Sequence, residues 1–138
     1  MSIEDIAREY FEAWNRRDFD RVAALVADDA ELVDFDGTVE RGPEGARQQS
    51  ERYANAFSDG RLEIKRIVTA GDTAVAELVG RGTNDGPFGE AQATHRSVEL
   101  PFCDVLTFRD DMIVRDRQYG DTATMLVQLG LMPEPAHA

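Results

Sequence analysis

The sequence has one cysteine, Cys103, and only two histidines, His95 and His137. A single cysteine excludes a disulfide framework and a thiolate metal cluster. The two histidines lie far apart in the sequence and do not have the spacing of a metal site. We therefore expect a protein that works without a metal ion or an organic cofactor.

Basic residues are scarce: 15 Lys and Arg stand against 27 Asp and Glu, which gives a net charge of −12. So little positive charge argues against binding to nucleic acid or to an anionic membrane surface. No apolar run approaches the length of a membrane span, and residues 1–10 lack the apolar centre of a signal peptide. We expect a soluble cytoplasmic protein. Its 138 residues suit one domain, residues 1–138, large enough for a core or a cavity.

Hydrophobic periodicity and turn residues divide the chain into helices and strands. The pattern predicts helices at residues 2–17, 18–27, 43–57 and 121–131, and strands at residues 30–36, 62–70, 73–83, 90–108 and 112–120. Helices followed by a run of antiparallel strands indicate an α+β fold. We expect a curved antiparallel or mixed sheet that wraps around the N-terminal helices and leaves a cone-shaped pocket.

Two polar side chains lie on predicted apolar faces. Tyr10 is in the middle of the apolar stripe of the first helix, which also carries Trp14. Asp104 falls by period two on the apolar face of residues 98–108, and a buried carboxyl group favours the neutral, hydrogen-donating form. Two alternatives remain for Asp104: a bulge at Pro101 that turns it outward, or a structural ion pair with an arginine across the sheet.

The run YFEAWNRRDFDRVAALVADDAELVDFDG, the helix led by Gly-Pro, and the run DVLTFRDDMIVRDRQYGDTATMLVQLG together resemble the cystatin-like α+β barrel family. This family includes nuclear transport factor 2, SnoaL-type polyketide cyclases and ketosteroid isomerases, and the resemblance covers nearly the whole chain. It supports the fold more strongly than any one reaction, because this fold hosts many activities.

The resemblance to ketosteroid isomerases implies three catalytic residues. The general-base aspartate would be Asp34, and the two donors to the enolate oxygen would be Tyr10 and a protonated Asp104. In that enzyme class a carboxylic acid that stays neutral at pH 7 serves as such a donor. The residues also have structural interpretations, since Tyr10 could be a core tyrosine and Asp34 a turn residue.

The resemblance to SnoaL-type cyclases implies a different acid/base residue, Asp121, near the last strand–helix junction. Asp121 is also a natural helix N-cap. His95, after a glycine-rich loop, is a further candidate base or an exposed loop residue. Limonene epoxide hydrolases, a third branch, use an Asp-Arg-Asp arrangement that Phe102 and Gln118 do not match.

These observations predict an enzyme without a cofactor that removes a proton next to a carbonyl group, either for isomerisation or for ring closure. Its ligand would be a flat, apolar carbonyl compound in a pocket lined by Trp14, Phe57, Phe102 and Leu106. The alternative is a non-catalytic ligand-binding or dimerisation module of the same fold. The resemblance also implies a homodimer.

Overall fold

The computed structural model describes residues 1–134 of the chain. The helices are α1 (Ile3–Asn15), α2 (Phe19–Ala24), α3 (Gly42–Ala56) and α4 (Thr122–Gln128). The strands are β1 (Val26–Val33), β2 (Val39–Arg41), β3 (Arg61–Ala70), β4 (Thr73–Thr83), β5 (Ser97–Arg109) and β6 (Met112–Gly120). His137 lies outside the described residues.

The strands form one mixed, open sheet in the order β2-β1-β6-β5-β4-β3. Only the contact between β1 and β6 is parallel, and the other neighbours are antiparallel. The apolar faces of α1 and α2 join the inner face of the sheet in the main core. This architecture confirms the predicted α+β fold with N-terminal helices against a mixed sheet.

Local sequence signals explain where several elements begin and turn. Ser2 caps α1 in a capping box: its Oγ accepts from the Asp5 backbone N–H at 3.1 Å, and the Asp5 carboxylate accepts from the Ser2 N–H. The loop Gly71-Asp72 joins β3 to β4 with a positive φ of 58° at Gly71, as a type II′ hairpin requires.

The largest differences between the predicted and the observed boundaries are at the second helix and at the strand predicted from residue 90. The pattern predicts that the second helix extends through residues 25–27, but α2 ends at Ala24 and β1 begins at Val26. The strand predicted from residue 90 begins only at Ser97. The preceding loop is organised by buried Asn84, which donates to the carbonyls of Ala56 and Gly86 and accepts from Thr94. Asn84 therefore supplies hydrogen-bond partners to backbone groups of this loop, which do not have to pair with a neighbouring strand.

No helix in the described part of the chain combines the length and the apolar character needed to cross a membrane.

Candidate active site

Inward-facing and outward-facing side chains alternate without interruption along β5, and Asp104 faces inward. Pro101 pairs with Val79 in regular register, so it does not produce a bulge. Asp104 is completely buried, between the partly buried Phe102 and the buried Leu106 of the same face. No arginine within residues 1–134 pairs with Asp104: Arg81 binds Glu63 and Glu99, and Arg117 donates to the Asp34 backbone carbonyl at 3.4 Å.

A second buried carboxyl group, Asp116 of β6, was missed by sequence reasoning. Thr107 pairs with Arg115 while the next residue, Phe108, pairs with Ile113, so one extra residue of β6 bulges out at this point. By period two from buried Ile113, Arg115 would face inward and Asp116 outward. The bulge reverses this phase, and Asp116 is 2% exposed on the inner face.

Tyr10, Asp104 and Asp116 form one buried cluster, in which the two carboxyl groups are called here the acid pair. The Tyr10 hydroxyl donates to Oδ2 of Asp116 at 2.9 Å. Asp104 is a neighbour of Asp116, and no other described residue donates to either of its carboxyl oxygens. Register explains the contact, because Asp104 pairs with Gln118 and Leu106 with Asp116, which makes the two acids diagonal neighbours. The sequence prediction placed two of these three residues inside correctly.

The electrostatics of the acid pair indicate a shared proton. Burial, then the negative charge of Asp116, raises the pKa of Asp104 well above the ordinary range. Burial also raises the pKa of Asp116, but hydrogen bonds from Asp104 and Tyr10 oppose this rise. Two adjacent carboxyl groups out of water do not both ionise easily. Asp104 therefore carries the proton and donates to Asp116, which is the carboxylate of the pair.

Asp116, Tyr10 and Gln118 border an internal cavity of about 130 Å³ between the sheet and the helices. The rest of the lining is mostly apolar and includes three predicted pocket residues, Trp14, Phe57 and Phe102. The fourth, Leu106, is fully buried in the main core and does not border the cavity. A carboxylate at the edge of an apolar cavity is the usual setting of a tuned acid or base.

Asp34 lies apart from the acid pair, at a second cavity. Its Oδ1 accepts from the Tyr53 hydroxyl at 2.8 Å and from the Phe35 N–H at 2.7 Å, and its Oδ2 accepts from Arg52 at 3.1 Å. Arg52 also binds Glu40. Tyr53 lines both cavities and therefore forms part of the wall between Asp34 and the first cavity.

The other two candidate residues are also separate from the first cavity. Asp121 caps α4 and accepts from the backbone N–H and the hydroxyl of Thr124, and these bonds lower its pKa. His95 is exposed in the loop before β5, with a positive φ of 60°. Neither residue lines the cavity that holds Asp116.

Two buried polar residues of α3, Gln49 and Ser50, also line the first cavity. Their signal was present in the sequence: they continue the stripe of Ala46 and Tyr53 at helical spacing, where an apolar residue would be expected. In residues 1–134, no group of three or more His, Cys, Asp or Glu side chains is arranged to hold a metal ion.

The ion pair of Asp34 with Arg52 makes a testable contribution to stability. We expect Asp34→Asn to lower the free energy of unfolding by about 1–3 kcal/mol, because it removes a largely buried charge-assisted hydrogen bond. Denaturant titration measures the change. The control Asp28→Asn, at an exposed position of β1, should stay within about 0.5 kcal/mol of wild type. Equal stability of the two variants would mean that the Arg52 pair contributes nothing.

The mixed sheet and the helices packed against it define an α+β protein with the ketosteroid isomerase-like fold. A protein of this fold from Catenulispora acidiphila, solved with trimethylamine, is 24% identical over 91% of this chain and 92% of its own, with a TM-score of 0.79. A family model described as SnoaL-like polyketide cyclase matches residues 4–129. The chain belongs to the SnoaL-like polyketide cyclase family.

Other solved structures show how varied the relatives of this chain are. The candidate polyketide cyclase IdmH from Streptomyces antibioticus is 29% identical over 94% of this chain and 99% of its own, with a TM-score of 0.79. An LEH-like epoxide hydrolase from M. tuberculosis is 22% identical over 92% of this chain and 88% of its own, with a TM-score of 0.74. No curated protein sequence matches the chain.

Proposed function

We propose that the protein is an enzyme that removes a proton from a carbon next to the carbonyl group of a flat, apolar small molecule. The observation that carries this proposal is the Asp116 carboxylate, which borders an apolar cavity and is held by Tyr10 and Asp104. A general base must be ionised, within reach of the substrate, and of raised pKa so that it binds the proton well. Asp116 suits this role, because its pKa is raised and because it lies at the cavity.

In this proposal Tyr10 and Asp104 act through Asp116 rather than on the substrate. The hydroxyl hydrogen of Tyr10 is directed at Asp116, and Asp104 does not line the cavity. Two donors to one carboxylate fix its orientation and offset part of the cost of burying its charge. Asp34 has hydrogen bonds to both carboxylate oxygens and borders the other cavity, so it is the less favoured base.

The reaction class follows from the fate of the enolate. Asp116 takes the proton from carbon, and the electron pair of the C–H bond moves toward the carbonyl oxygen. Return of the proton to a different carbon gives an isomerisation. Attack of the enolate carbon on a second carbonyl group of the same molecule gives a ring closure, as in a polyketide cyclase. Both outcomes require the same base and the same dry cavity.

An exchange assay tests the proposal without knowledge of the natural substrate. β-Tetralone is a flat, apolar ketone with acidic hydrogens next to its carbonyl group. In deuterium oxide the protein should accelerate the replacement of these hydrogens by deuterium, which nuclear magnetic resonance follows directly. Binding of β-tetralone without any acceleration would favour the alternative of a ligand-binding module.

Tyr10→Phe should shift the pH dependence of this exchange. Loss of the hydrogen bond to Asp116 removes a donor that stabilises the ionised carboxylate, so the pKa of Asp116 should rise further. A base works only when deprotonated, so the acidic limb of the pH–rate profile should move to higher pH. Tyr53→Phe serves as the control, because its hydroxyl donates to Asp34 instead. An unchanged profile in Tyr10→Phe would contradict the role of Asp116.

The homodimer and the cytoplasmic location expected from the sequence stay predictions.

A further inference from the structure

Gln49 and Ser50 stand out among the buried polar side chains because neither is part of the acid pair or of the Asp34 cluster. They are 7% and 6% exposed, and both border the first cavity. Neither side chain hydrogen-bonds to any residue in the described part of the chain. Buried Asn84, by contrast, is bonded through both ends of its amide. Among the described residues, the fully buried polar atoms without a partner belong to Glu40, Asp104, Asp116 and Gln118, so the polar atoms of Gln49 and Ser50 remain accessible from the cavity.

Gln49 and Ser50 are two cavity donors that no described residue occupies. The Tyr10 hydroxyl donates to Asp116, and the Tyr53 hydroxyl donates to Asp34. Gln118 also lines the cavity, and its side-chain oxygen has no hydrogen-bond partner among the described residues. Among the described residues at this end of the cavity, the amide N–H groups of Gln49 and the hydroxyl of Ser50 therefore stay available for a bound molecule.

We propose that Gln49 and Ser50 bind the carbonyl oxygen of the substrate and stabilise the enolate, an inference that rests on the proposed function. As the C–H bond breaks, its proton goes to the Asp116 carboxylate. The electron pair moves through the carbon–carbon bond to the carbonyl oxygen, which becomes negative. Hydrogen bonds from Gln49 Nε2 and Ser50 Oγ to that oxygen strengthen as the charge develops.

The same arrangement restricts the chemical class of the substrate. The two donors are uncharged, and the cavity they share contains the carboxylate of Asp116. A carboxylate ligand would bring a second negative charge into an apolar space and find no cation to balance it at the acid pair. The group that Gln49 and Ser50 hold beside Asp116 is therefore a neutral ketone or aldehyde rather than a carboxylate.

The binding test uses β-naphthol, whose ionised form imitates an enolate, in the Asp116→Asn background. An asparagine at this position imitates the protonated base that is present once the enolate has formed. We expect this parent protein to bind naphtholate, and added Gln49→Met or Ser50→Ala to weaken that binding at least tenfold. Binding of neutral β-naphthol at low pH should change little, which controls for an intact cavity. Gln48→Met, at the neighbouring position of α3 that does not line the cavity, should not weaken naphtholate binding.

The exchange test uses the same changes in the otherwise wild-type protein. Gln49→Met and Ser50→Ala should each slow β-tetralone exchange by about 10²-fold, as loss of one enolate donor does in other enzymes. Unchanged naphtholate binding in both variants, or no naphtholate binding by the parent, would overturn the inference whatever Asp116→Asn does to exchange. If the Gln49 and Ser50 variants bind naphtholate more weakly but the wild-type protein does not accelerate β-tetralone exchange, Gln49 and Ser50 are oxyanion donors and the proposed reaction is wrong.

Discussion

Asp116→Asn should reduce β-tetralone exchange by about 10²–10⁴-fold, the range that a positioned general base contributes. Asparagine has nearly the shape of aspartate and can still accept from Tyr10, but it cannot take a proton from carbon. The loss should appear in the rate at saturating ketone, with ketone affinity little changed. Such a pattern means that the lost interaction belongs to the transition state.

Two other Asp→Asn variants make this result specific. Asp121→Asn should exchange at the wild-type rate, because asparagine caps a helix about as well as aspartate and Asp121 does not line the cavity. Asp34→Asn should keep most of its activity despite lower stability. If Asp34→Asn abolishes exchange and Asp116→Asn does not, the base is Asp34, as the resemblance to ketosteroid isomerases implies.

Asp104→Asn should make the protein progressively more stable than wild type as the pH rises. The pKa of Asp104 is raised in the folded protein, so the folded state keeps a proton that the unfolded chain loses near about pH 4. Above that pH the folded state binds more protons than the unfolded state, and wild-type stability falls as the pH rises toward the folded pKa. Each pH unit in this window costs about 1.4 kcal/mol.

Asparagine at position 104 removes this dependence, because its amide stays neutral and can still donate to Asp116. The difference in unfolding free energy between variant and wild type should therefore grow as the pH rises from about 4 toward the folded pKa of Asp104. Denaturant titrations at a series of pH values measure it. Asp121→Asn should leave the change of unfolding free energy with pH in this range the same as in wild type, since the pKa of Asp121 is lowered rather than raised. A constant difference would show that Asp104 is ionised in the folded protein.

The sequence by itself predicted the fold class and placed Tyr10 and Asp104 on apolar faces, with a bulge at Pro101 or an ion pair as the open alternatives for Asp104. Tyr10 and Asp104 lie within patterns that have a strict period, 3.6 in a helix and two in a strand. Where no bulge interrupts the pairing, as along β4 and β5, such patterns place a polar residue on an apolar face. The turn at Gly71 and the cap at Ser2 depend on neighbours in sequence, and both were predictable for the same reason.

Only the tertiary structure decided which polar groups meet. One bulged residue in β6 turns Asp116 inward, and a bulge depends on pairing with β5 and β1 rather than on the local sequence. Likewise, Asp34 accepts from Arg52 and Tyr53 of α3 because the end of β1 packs beside that helix. Contacts between distant residues, such as Tyr10 and Asp116, are set by packing, which periodicity does not encode. The identity of the candidate base therefore emerged from the folded structure alone.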